Sequence, residues 1–150
     1  MEGRNEMALR LKVTGATGVT VFDERAITKV VFDSDTPEDS NARATDYGLG
    51  MTIYGKMLFN LGASEKDQTL DLAKWSQVPS HKADCYRKVE VEVISASQVV
   101  RCYKIPFAFV MGYEETLDDD SGIGTFRLHV KQKKDENKLV DIEGGFVAGA

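Results

Sequence analysis

Cysteine and histidine are scarce in this chain, two of each in 150 residues. So few thiols exclude a disulfide-stapled scaffold, and so few imidazoles leave little from which to build a zinc centre. A basic excess is missing too. The net charge of -5 is the wrong sign for displacing counterions from a nucleic acid, so no nucleic-acid partner is expected. No apolar run approaches the ~20 residues of a membrane-spanning helix, so membrane insertion is not expected either. Residues 1–7 are polar and of mixed charge, without the apolar stretch of a secretory signal, and cytoplasmic assembly is the resulting expectation. The chain also lacks a zinc-protease histidine pair, a serine-hydrolase elbow and a phosphate-binding loop. No enzyme mechanism, catalytic residue, cofactor or metal follows from its motifs.

What is present reads as soluble and globular: 42% hydrophobic and 29% charged residues, in a length that suits one domain, 1–150. The expected fold class is mainly β, an antiparallel α+β arrangement with one short packed helix. Apolar and polar residues alternate through 86–94, 99–113 and 124–133, the period of half-buried strands. Leu9, Leu11 and Val13 mark an earlier strand, 26–32 another, and 47–59 a long one in which Leu49, Met51, Ile53, Met57 and Phe59 keep one parity. Residues 67–77 predict the helix, capped by Ser64 or Asp67, packed through Leu70, Ala73 and Trp75, and stopped by Pro79. Between strands, 33–46 is a polar loop with no apolar residue larger than alanine, and 114–124 is an acidic one. The 135–150 segment reads as an extension with a short strand at 139–142.

If 95–98 closes a hairpin with Ala96 and Ser97 at its tip, Val91 faces Cys102, Val93 faces Val100 and Glu92 meets Arg101. That register separates an apolar face from a charge-paired one. It also places Cys85 ~20 Å along the strand from the position opposite Cys102, so the two thiols cannot bridge and are expected free. Beyond Pro106, the large residues Phe107, Phe109, Met111 and Tyr113 change parity. Either a bulge near Pro106 returns them to the core, or this segment is apolar on both faces and a neighbouring subunit covers one of them.

Three patterns imitate chemistry. Val13-Thr14-Gly15-Ala16-Thr17-Gly18 resembles a dinucleotide-binding turn, but Val21 stands where the third glycine belongs and a β-branched run follows, so a plain turn is expected. Asp118, Asp119 and Asp120 suggest a calcium loop but lack the later ligands, which leaves a solvated acidic turn. His81, Asp84 and Cys85 sit close in sequence, but the other histidine, His129, shares a polar strand face with Arg127, Lys131 and Lys133.

The order of elements resembles the Hcp-like tube proteins of type VI secretion and contractile phage tails. The stretches that carry the resemblance are Asp33-Ser34-Asp35-Thr36-Pro37 with Asn41-Ala42-Arg43, and Val99-Val100-Arg101-Cys102-Tyr103-Lys104-Ile105 leading to Ala108-Phe109-Val110. The chain is also similar to small bacterial proteins labelled membrane-associated proteases, though it has no protease signature. The tube resemblance implies an antiparallel β-barrel with a side helix, assembled into six-membered rings that stack into a conduit for effectors. It further implies sheath and tip or baseplate proteins as partners, delivery outside the cell within the particle, and 33–46 as the assembly loop. Asp35, Thr36, Pro37, Asn41, Arg43, Asp46, Phe107 and Phe109 are then the expected interface residues. A small-molecule-binding β-barrel and, behind it, a hydrolase are the alternatives.

Overall fold

A computed structural model describes residues 7–35, 48–58 and 68–144. Among the described residues, eight strands form one antiparallel sheet: β1 (Met7–Thr14), β2 (Val19–Phe22), β3 (Ile27–Asp35), β4 (Gly48–Met57), β5 (Arg87–Ser95), β6 (Gln98–Asp118), β7 (Ile123–Gln132) and β8 (Asp141–Gly144). The lateral order is β2-β1-β5-β6-β7-β4-β3, with β8 beside β6. Alternation dictates the faces: Leu11, Val13, Met51, Ile53, Val89, Val91, Leu128 and Val130 point inward and are buried. The sheet curls until β1 and β3 approach each other, but no ladder joins them, so the expected barrel is open along that line. β2 pairs with Leu11 to Thr14, which leaves the first half of β1 without a partner strand on its β3 side among the described residues.

Gly15 to Gly18 is the tight connection of the β1–β2 hairpin, closed by the Gly15 N–H donating to the Gly18 carbonyl at 2.9 Å. An antiparallel strand follows it, as the β-branched run requires, and no helix. Gly55 is a close approach: a Cβ there would lie 2.5 Å from the Phe126 ring and 2.6 Å from the Ala26 carbonyl. The helix α1 (Thr69–Ser76) closes the core with Leu72 and Trp75, each burial contributing about 1.5–3 kcal/mol. Its buried face is turned from the expected one, because Trp75 Nε1 donates to the Cys85 carbonyl at 2.9 Å and Asp71 accepts from the Thr20 hydroxyl at 3.0 Å. Leu72 therefore goes inward and Leu70 remains 44% exposed. Ser64 and Asp67 lie outside the described residues, and Gln68 at the N-cap makes no side-chain capping bond.

The β5–β6 hairpin turns at Ala96 and Ser97, which take φ of 53° and 64°, with Ser95 facing Gln98 as expected. The register beyond it differs from the expected one. Val93 pairs with Arg101 and Ile94 with Val99, so Val100 is an extra residue, and Val91 faces Tyr103 while Glu92 faces Cys102. Charge pairing on the outer face survives with other partners: Arg10 reaches Glu92 at 3.9 Å and Lys104 reaches Glu143 at 3.2 Å.

The acidic stretch 114–118 is strand rather than loop. Glu114 pairs with Arg127 and Asp118 with Ile123, and Gly122 at φ 68° turns the chain. The last strand is displaced to Asp141–Gly144, after a 3-10 segment Lys134–Leu139, and pairs with Arg101 to Lys104.

Candidate subunit-assembly surface

β6 carries the surface singled out from sequence, and its parity decides which side chains reach it. Ile105 is fully buried opposite Val89, and Ala108 pairs with Arg87, so an irregularity falls at Pro106 and Phe107. The bulge exists, but it acts opposite to the first expectation. Ala108 and Val110 continue the inward row, while Phe107 is 39% and Met111 51% exposed. Ala108 has strand neighbours on both sides, Arg87 and Gln132, and faces the packed interior, where a phenylalanine would overfill the space. A second bulge at Met111 returns Tyr113 inward, opposite Leu128.

Gln132 fixes this arrangement. It is 3% exposed, its Oε1 accepts from the Phe107 N–H at 2.9 Å, and its Nε2 donates to the Glu136 carbonyl at 2.8 Å. Lys133 N–H donates to the Phe107 carbonyl at 2.8 Å. Phe109 lies edge-on to Tyr86 with ring centroids 6.1 Å apart. The outer face of β6 thus presents Phe107, Phe109 and Met111 as an apolar row, held from behind by a buried amide. Sequence reasoning missed Gln132 because its partners lie 25 residues back and 4 ahead.

The same strand has an open edge. Ala108 pairs with β5 on one side and β7 on the other. Beyond it, the edge of 109–118 opposite β7 has no partner strand among the described residues, which leaves backbone donors and acceptors available. α1 meets this strand at Phe109 and Val110, which with Trp75 and Tyr86 line a cavity of about 180 Å³.

Of the other expected interface residues, Asp35 ends β3 and faces Gly48 across the ladder. Asp33 to Asp35, expected to open the polar loop, are thus paired strand instead. Thr36, Pro37, Asn41, Arg43 and Asp46 lie outside the described residues. Where β1 and β3 fail to pair, a cleft of about 580 Å³ opens, lined by Met7, Leu9, Val30, Phe32 and Tyr103, with Lys29 and Arg101 among its walls. Phe32 stacks on Tyr103 at 5.0 Å.

The remaining candidates do not converge. Asp84 is held by Arg87 at 2.6 Å, and this hydrogen bond draws its carboxyl below the usual range. Burial pushes the Cys85 thiol up, with the neighbouring Asp84 charge adding to the effect; burial likewise raises Cys102. Both cysteines are free and buried, and a raised thiol is a poor nucleophile. His129 is half-buried on β7, and its burial lowers its basicity. No metal-ligating group of three or more histidine, cysteine, aspartate or glutamate side chains occurs among the described residues. Asp118 caps its own turn, its carboxylate accepting from the Asp120 N–H at 2.9 Å.

No protein-family model matches the sequence, and no curated protein is detectably similar to it. Solved structures are similar in shape. Hcp1 from Flavobacterium johnsoniae superposes with a TM-score of 0.52 over 90% of this chain and 95% of that one, at 16% identity. The fold is Hcp-like. A chain of the 6-fold symmetrised anti-feeding prophage baseplate matches with a TM-score of 0.52 over 96% of this chain and 97% of that one, at 11% identity. Hcp1 from E. coli EAEC 042 gives 0.51 over 93% and 99%, at 9% identity. No helix among the described residues is long and apolar enough to cross a membrane.

Proposed function

We propose that this chain is the inner-tube subunit of a contractile injection system or phage-tail-like particle. It assembles into stacked hexameric rings that form a conduit for effectors, with sheath and baseplate or tip proteins as partners. Its role is structural, and it assembles in the cytoplasm before delivery within the particle. The observation that carries this reading is the row of exposed Phe107 and Met111 with half-buried Phe109 between them on an Hcp-like fold, beside a strand edge with no partner among the described residues. An apolar row next to unpaired backbone is what a neighbouring subunit would bury. The segment that follows β3, up to residue 46, with Asp35, Thr36, Pro37, Asn41, Arg43 and Asp46, supplies polar contacts that set register between subunits.

The test is the double variant Phe107→Ser with Met111→Ser, at positions 39% and 51% exposed. Its circular dichroism spectrum and melting should match the wild type, while light scattering shows a shift from oligomer to monomer. An unchanged oligomer would remove this row from the interface.

A further inference from the structure

We infer that the tip of the β6–β7 hairpin of one copy docks into the open β1–β3 cleft of another. This rests on the tube-subunit reading and names the contact by which copies join. The tip exposes two large apolar side chains, Leu117 at 66% and Ile123 at 53%, one on each face of the hairpin. Between them stand Asp118, Asp119 and Asp120 on an ordered turn, closed by the Gly122 N–H donating to the Asp118 carbonyl at 3.0 Å. Neither Asp119 nor Asp120 has a cationic partner among the described residues.

The cleft is the complement in charge and apolar character. Its walls are apolar and aromatic, and its volume is about 580 Å³. A dry cavity of about 150 Å³ already holds a benzene ring, so this one has room for both tip side chains with their flanking backbone. Lys29 and Arg101 stand in its walls. Lys29 lies over the Tyr54 ring at 5.1 Å and Arg101 donates to the Tyr103 hydroxyl at 3.3 Å. Neither has a carboxylate partner among the described residues.

A chain that carries an acidic apolar plug and a cationic apolar slot at separate places makes a heterologous contact, which closes into rings or runs on as a stack. The two patches share no residue, so every copy can give and receive at once.

The test uses charge reversal on each side. The tip variant is Asp119→Lys with Asp120→Lys, which spares the turn-capping Asp118; the cleft variant is Lys29→Glu with Arg101→Glu. Folding is checked by circular dichroism, with Leu117→Ser as the tip variant should the double reversal fail to fold. Light scattering should show each reversed chain weakened about tenfold or more in self-association, and an equimolar mixture of the two restored, because each then meets an opposite charge. If wild-type chains assemble and either reversed chain assembles equally well, the docking is wrong while the tube reading stands. Loss in both without restoration in the mixture also overturns the pairing. Saturable binding of dodecanoate to the wild type, lost in the cleft variant with assembly intact, would make the cleft a carboxylate site instead. Wild-type chains that stay monomeric at every concentration remove the tube reading itself, and the docking with it.

Discussion

Replacing Gln132 with methionine keeps the length of a side chain that is 3% exposed and removes both of its hydrogen bonds. The groups left behind are the Phe107 N–H and the Glu136 carbonyl, both only partly shielded from water. Water can replace some of what is lost, so each bond is worth about 1 kcal/mol and the pair about 2 kcal/mol. For a chain of this size, that lowers Tm by about 4–8 °C. Gln132→Glu keeps an acceptor for Phe107 but loses the donor to Glu136 and buries a charge against that carbonyl, so it should melt below the methionine variant at neutral pH. Thermal melts of the wild type and both variants check the reasoning. A methionine variant within about 1 °C of the wild type would show that the bulge at Pro106 holds itself, and that the amide is incidental to the apolar row.

Two other outcomes follow from the structure. Asp84 has its carboxyl drawn down by Arg87, so its contribution is present above the ordinary carboxylate pKa and fades as pH falls through the lower folded value. Asp84→Asn should be less stable than the wild type at pH 7 by under about 1 kcal/mol, and urea titrations should show the gap closing in acid; a gap that widens there contradicts the assignment. Ser97 sits at φ 64° in the hairpin tip, where glycine is free of the side-chain penalty. Ser97→Gly should raise stability by about 0.5–1 kcal/mol in the same titrations, and a loss would mean that this turn is not strained.

Strands were legible wherever one face is core and the other solvent, as with Leu11 and Val13 against Lys12, or Phe126, Leu128 and Val130 against Arg127 and His129. The Ala96–Ser97 tip was legible from its place between two alternating runs. The register was not, because the extra residue at Val100 belongs to a distant packing. A side chain at Gly144 of β8 would stand 3.0 Å from the Val100 carbonyl, and no local pattern announces that contact. At Pro106 the break was readable but its direction was not. Size suggested that Phe107 and Phe109 belong inside, whereas the space between Arg87 and Gln132 admits only Ala108. The 114–118 stretch looked like loop because it is acidic, and its ladder with β7 overrides that preference. The cleft was invisible in sequence. It exists because β2 covers only half of the β1 edge.

Electron microscopy of the purified protein in negative stain tests the central claim most directly. An inner-tube subunit predicts hollow rings with six-fold class averages, and short stacks of them as concentration rises. A population of single, solid particles the size of one chain, unchanged up to the highest concentration that remains soluble, would contradict it.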